Sequence, residues 1–239
     1  MQYFGGKQRI SKSLSDFLNK ELKEGQTFVD LFCGSCNVIS KIDKNRQRIA
    51  NDKHKYLIAM WKALQNGWQM PDSVSEEEYK YIKEHLDEDM ALSGFVGFGS
   101  SFAGKWFMGY ARNKRNINYC LSAKHSNEKI LKNIMDVEFY SEDYANVPIP
   151  SGALVYCDIP YRGAIQYSKK ETGIFDHEIF YQWVKDNSDK YEIYISEYKQ
   201  NVPEGFDIVW CRNSSKAIRN KDDKGEDTVE VLIKYGGIR

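Results

Sequence analysis

Ala153-Leu154-Val155-Tyr156-Cys157-Asp158-Ile159-Pro160-Tyr161 is the stretch around which the rest of the chain is arranged. A short run of apolar, β-prone residues ends abruptly in an acid, a proline and an aromatic ring. That pattern predicts a buried parallel strand delivering a carboxylate, a constrained carbonyl and a flat ring to one edge of a sheet. Pro160 keeps Ile159 out of the α region, so the Ile159 C=O is expected to be fixed in direction. Asp158 and that carbonyl can together accept two hydrogen bonds from one exocyclic amine, while Tyr161 stacks on the attached ring. The set suits a flat heterocycle bearing an NH₂ group. A strand end with a capping Asp and a turn Pro would look the same taken alone.

At 239 residues the chain is long enough for one sizeable α/β core and a smaller inserted lobe. Its 34 basic and 34 acidic residues cancel, so a nucleic-acid face has to come from local asymmetry. No apolar run approaches the roughly 20 residues that span a bilayer. The opening Met1-Gln2-Tyr3-Phe4-Gly5-Gly6-Lys7 has no signal-peptide core, and a cytoplasmic protein is expected. Five scattered cysteines fit reduced thiols. Cys33-x-x-Cys36 has no second pair or nearby histidine, so it reads as small residues in a tight loop and no metal site is expected.

The glycine-rich Tyr3–Lys7 segment leads into a predicted helix from Gln8 to Glu24, stopped at Gly25. Thr27–Phe32 reads as a buried strand running into Cys33-Gly34-Ser35-Cys36-Asn37, with a helix predicted over Val38–Ile42. Arg48–Asp52 is a second strand ending in an acid, and His54–Leu64 an amphipathic helix. Strand, glycine loop, helix, strand, acid is the opening of a Rossmann-like nucleoside or dinucleotide site.

Residues from about Trp68 to Glu138 break this rhythm. Ser75-x-x-Glu78 is a capping-box pattern opening an acidic helix to Leu86. From Ser93 to Asn127 there is no acid at all, while Lys105, Arg112, Lys114, Arg115 and Lys124 interleave with aromatic residues from Phe95 to Tyr119. Basicity with aromatics in a neutral chain is the footprint of a nucleic-acid face, although a loop whose aromatics pack inward would share it.

Alternating strands return at Asp136–Tyr140, followed by Asp143-Tyr144, the central stretch, a helix capped by Asp176 and a strand over Tyr191–Ser196. Phe206–Trp210 and Thr228–Ile233 form a predicted terminal hairpin, whose connection carries Arg212, Lys216, Arg219, Lys221 and Lys224.

Asp30, Asp52 and Asp158 end three predicted strands, and ligands of open α/β sheets bind at such ends. The spacing from Asp30 to Asp52 permits a dinucleotide enzyme. However, Phe32-x-Gly34-x-Cys36 lacks the G-x-G-x-x-G fingerprint, and a nucleoside without a diphosphate, such as S-adenosylmethionine, fits better.

In the order of its motifs the chain resembles the Dam-like (D12 class) DNA adenine-N6 methyltransferases. The F-G-G-K segment comes first, then the F-x-G loop, a recognition lobe and a D-P-P-Y-type tetrad. The resemblance implies a Rossmann-like class I S-adenosylmethionine-dependent fold, with residues 1–66 and 136–239 as the catalytic domain and 67–135 as an inserted, mainly helical lobe. It implies that Tyr3, Lys7, Asp30, Phe32, Gly34 and Asp52 line the cofactor site, with Asp52 on the ribose. Asp143 and Tyr144 would meet the cofactor's adenine. Asp158, Ile159, Pro160 and Tyr161 would form the catalytic tetrad, with Lys7 and the cofactor beside Asp158. Lys105, Arg112, Lys114, Arg115, Asn116, Lys124, Arg212, Lys216 and Arg219 would contact double-stranded DNA. The implied reaction is methyl transfer from S-adenosylmethionine to a flipped adenine, by a monomeric, stand-alone or restriction-linked methylase of bacteria or phages.

Two positions depart from the family pattern. Ile159 replaces the first proline of the tetrad, keeping the carbonyl but not the fixed φ. Cys36 stands where a glycine free to take positive φ is usual. An N4-cytosine methyltransferase, an RNA substrate and a DNA- or cofactor-binding homologue without turnover are the competing readings.

Overall fold

Alternation along the central strands decides which side chains go to which face of the sheet. The computed structural model describes residues 3, 5–113, 117–162, 169–213 and 229–236. Lys114, Arg115, Asn116, Lys216, Arg219, Lys221 and Lys224 lie outside them.

Seven strands form one sheet in the order β3-β2-β1-β4-β5-β7-β6. They are β1 (Phe28–Asp30), β2 (Arg48–Asn51), β3 (Glu138–Tyr140), β4 (Leu154–Cys157), β5 (Glu192–Tyr198), β6 (Phe206–Asn213) and β7 (Val229–Tyr235). The first five pair in parallel, whereas β7 runs antiparallel to both β5 and β6. This is the Rossmann-like class I arrangement that the resemblance implies. The strand order reverses between β1 and β4, and ligands bind at such a switch point.

In β1 and β4, Phe28, Leu154 and Tyr156 enter one hydrophobic cluster while Val29, Val155 and Cys157 enter another on the opposite face. The first cluster is covered by α1 (Ser11–Glu21) and α2 (Lys55–Gln65) through Leu14, Leu18, Leu57 and Trp61. The second is covered by α7 (His177–Asn187) through Phe180, Tyr181 and Val184. Asp176 caps α7 by accepting from the amides of Glu178 and Ile179.

Between β2 and β3 lie α3 (Glu76–Glu84), α4 (Met90–Gly99) and α5 (Tyr119–Leu131). The Ser75–Glu78 capping box is present in full. The Ser93–Asn127 window contains most of α4 and α5. Phe95, Phe98, Trp106 and Phe107 are buried in the first cluster, so most of its aromatics serve packing, whereas Phe102 stays exposed. Two other expectations shorten: the first helix begins only at Ser11, and Val38–Ile42 supplies one 3-10 turn (Ile39–Lys41). A four-residue helix, α6 (Lys169–Thr172), precedes α7. No helix among the described residues is long and apolar enough to cross a membrane.

Contact between α2 and α4 sets where the inserted segment sits. A Cβ on Gly94 would lie 2.0 Å from the Tyr56 carbonyl oxygen, a backbone atom that cannot step aside. Gly94→Ala is therefore expected to cost about 3 kcal/mol, as overpacking at a rigid contact does. Urea unfolding measures it, and a loss no larger than that of an exposed helical substitution would disprove the close approach.

Candidate active site

The carboxyl ends of β1, β2 and β4 bring three acids together. Asp30 closes β1, Asp52 follows β2 and Asp158 follows β4. Asp30 is fully buried, with one carboxyl oxygen lacking any hydrogen-bond partner. Burial, then the negative charges of Asp158 and Asp52, push its pKa well above the usual carboxylate value.

Asp52 organises the loop after β1. It accepts from the Gly34 amide at 3.0 Å and from the His54 amide at 2.9 Å. Burial raises its pKa while these two donors pull it down. The Trp61 indole donates to the Gly34 carbonyl at 3.1 Å, so the same loop residue is tied to α2. Gly34 has φ 47°, and Cys36, the departure from glycine, has φ 56°. The left-handed conformation is thus kept by a residue with a Cβ, at a cost of about 1 kcal/mol. Cys33 and Cys36 are both buried, and burial raises both thiols.

Lys7 is folded onto this edge from the segment preceding α1. Its buried ammonium lies 2.7 Å from Asp158 Oδ1 and 2.7 Å from Glu230 Oε1. It also donates to the Tyr161 hydroxyl, and it lies 4.3 Å from the centre of that ring. The Tyr161 hydroxyl in turn donates to Glu230 Oε1 at 2.6 Å. Burial lifts the Asp158 carboxyl to about 6. Lys7 opposes the rise but shares its charge with Glu230, while Glu230 and Glu197 add to it. For Lys7 the two acids outweigh burial, and its pKa is raised.

Ile159 is buried in the second cluster, so the residue replacing proline anchors the tetrad in the core. His177 Nε2 donates to the Pro160 carbonyl at 2.7 Å, tying the tetrad to the start of α7. Tyr3 sits over the glycine loop, a Cβ on Gly34 falling 3.1 Å from its ring, and it meets Phe98 of α4 at 4.8 Å. Beside the acids, Phe32 joins Tyr144, Phe175 and Phe180 in an aromatic group with ring centres 5.2–6.1 Å apart. Asp143, on its edge, pairs with Lys53 at 2.9 Å.

Glu230, His177 and Phe175 are not among the residues singled out from sequence. Glu230 left a signal: it is an acid two places from Leu232 in an apolar strand, in register with its inward face. His177 and Phe175 left none.

The expected DNA-contacting residues are dispersed. Arg112 pairs with Glu76, and Lys124 with Asp72 at 2.6 Å, acids that stand outside the acid-free window but meet it in space. Arg212 on β6 donates to the Arg9 carbonyl at 3.2 Å and the Ser13 hydroxyl at 3.0 Å, near the start of α1. Lys105 is half-buried next to Trp106.

The acids, the aromatic group and the unpartnered Asp30 oxygen fit a ligand carrying an amine, a ribose and a flat base, as S-adenosylmethionine does. Residues 3–102 match the D12 class N6 adenine-specific DNA methyltransferase family. The match takes in the Lys7 segment, the glycine loop and α4, and ends before the tetrad. No curated protein matches the chain. Among solved structures, a conserved hypothetical protein of Streptococcus pyogenes is similar at 8% identity and TM-score 0.42, over 95% of this chain and 96% of that one. A putative methyltransferase, yhhF, of Escherichia coli is similar at 10% identity and TM-score 0.35, over 95% and 84%. A putative rRNA methylase of Clostridium thermocellum is similar at 11% identity and TM-score 0.38, over 94% of each chain. Likeness at this level adds nothing to the topology already described.

A carboxyl with a higher pKa folded than unfolded holds its proton more tightly in the folded chain. The folded state therefore loses stability as pH rises from about 4 to about 6. Asp158→Asn lacks that titration. Relative to wild type it should gain on the order of 3 kcal/mol between pH 4 and pH 7, at ~1.4 kcal/mol per pH unit. Denaturant melts at the two pH values read the difference, and a gap independent of pH would contradict it.

Proposed function

We propose that the chain is an S-adenosylmethionine-dependent methyltransferase of the D12 class, the family whose pattern residues 3–102 match, and that it methylates N6 of an adenine flipped out of duplex DNA. The observation that carries the reading is the Lys7–Asp158–Tyr161 cluster at the switch point of the sheet. A carboxylate, a neighbouring carbonyl and a ring at one strand end suit an aromatic amine.

When bound, S-adenosylmethionine supplies an electrophilic methyl group. Asp30, Phe32, Gly34, Asp52, Asp143 and Tyr144, with Tyr3 and Lys7 above them, are the residues assigned to hold it. Tyr161 stacks on the target base, offsetting the few kcal/mol of unstacking. Asp158 and the Ile159 carbonyl accept the two N6 hydrogens, which weakens conjugation of the nitrogen lone pair with the ring and raises the electron density on nitrogen. Orientation and fixed charge are the main contributions. Once methylated, N6 is cationic and acidic, and Asp158 stands ready to take its proton. Pro160, held through its carbonyl by His177, keeps the tetrad from shifting.

Residues 67–135 are assigned as the lobe that approaches DNA, with Lys105, Arg112 and Lys124 on it and Arg212 on the hairpin. Their contacts with phosphate position the duplex, and base edges supply specificity.

Incubation with tritiated S-adenosylmethionine and unmethylated duplex DNA, followed by digestion, should put label in N6-methyladenine. Asp158→Ala should lower the rate by at least about 10²–10³-fold. Because the carboxylate form is required, the wild-type rate should fall about tenfold per pH unit below about pH 6. Label in N4-methylcytosine, or only in RNA, would move the substrate; no label in any nucleic acid would remove the reading.

A further inference from the structure

Glu230 has no part in the chemistry described so far, yet it touches two of the residues assigned to it. One oxygen, Oε1, lies 2.7 Å from the Lys7 ammonium and 2.6 Å from the Tyr161 hydroxyl. Glu230 is part of β7, where it registers opposite Tyr198 of β5 and Arg212 of β6. The Tyr198 ring meets the Tyr161 ring edge-on at 4.5 Å. Tyr161 is thus held by its hydroxyl from β7 and by its ring from β5. An acid placed in an apolar strand and closed over by these contacts is costly to keep unless it is paired.

Resting on the proposed methyl transfer, we propose that Glu230 is a positioning residue of the transfer site. It acts through the Lys7 ammonium and the Tyr161 hydroxyl, fixing the stacking ring and taking up part of the positive charge that Lys7 presents to Asp158. With Glu230 absent, Lys7 turns its whole charge on Asp158 and the carboxylate becomes a weaker acceptor for the N6 hydrogens. The other groups facing Asp158 are the acids Asp30 on β1 and Glu197 on β5, the Cys157 thiol on β4, and the hydroxyls of Tyr156 on β4, Tyr3 before α1, Tyr161 and Tyr198. The acids are held in place by the sheet whether or not Glu230 is present, and the cation against Asp158 is Lys7. The direction of the effect is therefore determined: removing the Glu230 charge makes Asp158 more acidic.

Single-turnover methylation at saturating S-adenosylmethionine and duplex DNA, followed from about pH 5 to pH 8, tests the assignment. Glu230→Gln keeps an oxygen to accept from Lys7 and Tyr161 but not the charge. Its acid limb should move down by roughly one pH unit. Glu230→Asp keeps the charge, and its limb should stay near that of the wild type although its rate falls. A merely structural Glu230 would lower the rate at every pH and leave the limb where it was, and that result would overturn the proposal.

Two controls keep the test decisive. Carbon-13 titration of the Asp158 carboxyl, in wild type and Glu230→Gln, reads the same shift without any DNA. If the wild type methylates no DNA, the functional reading fails while this titration still decides whether Glu230 acts on Asp158. Tyr161→Phe removes the second arm while leaving the ring. A severalfold loss of rate with an unaltered KM for S-adenosylmethionine is expected, and an undiminished rate would refute the anchoring role even if Glu230→Gln does not fold.

Discussion

An ammonium buried at the edge of a sheet has to be neutralised where it sits, and this requirement orders much of the candidate site. Lys7 comes from a segment with no regular structure of its own, yet it is held by residues following β4 and on β7. Neither acid alone balances the arrangement. Both pair with Lys7, and Glu230 also holds the Tyr161 hydroxyl. The N-terminal segment is thereby fastened across the switch point and places Tyr3 over the glycine loop. Burial and pairing together give a carboxylate that titrates near neutrality, a property a fully solvated Asp does not have.

What the sequence disclosed followed from local rules. Asp158 after a run of apolar residues, Asp52 after Arg48–Asn51, and Ser75-x-x-Glu78 each declare themselves through neighbours within a few positions, and each is found where it was expected. Cys36 shows how local the argument can be: the position that wants positive φ has it, with the wrong residue in place. Val38–Ile42 reads as a helix but forms a single 3-10 turn, because an apolar run shorter than two turns is compatible with either. The roles of Glu230 and His177 are hidden for another reason. Their meaning lies in partners 223 and 17 residues away, for Lys7 and Pro160 respectively, and only the closing of the sheet brings them together.

The Ser93–Asn127 window marks the boundary between composition and structure. Its aromatics read by composition as a nucleic-acid surface, yet most form the interior that joins α4 to α2. Gly94 and Gly97 permit that packing, the latter with the Trp106 ring 2.2 Å from where a Cβ would stand. The lobe residues share one hydrophobic cluster with α1 and α2, so the part assigned to meet DNA and the part assigned to hold the cofactor rest on common ground. His54 lies in this junction, buried against Trp106 and Phe98 with neither ring nitrogen hydrogen-bonded. Burial lowers its pKa to about 3, so it enters the junction as an uncharged ring.

Arg112 and Lys124 are already engaged by Glu76 and Asp72 in a chain without net charge. Attraction to an arbitrary stretch of polyanion depends on displacing condensed counterions with free cations. A duplex approaching Arg112 and Lys124 would first have to draw those two cations away from their own acids, so the gain from releasing counterions there would be smaller than from two free cations.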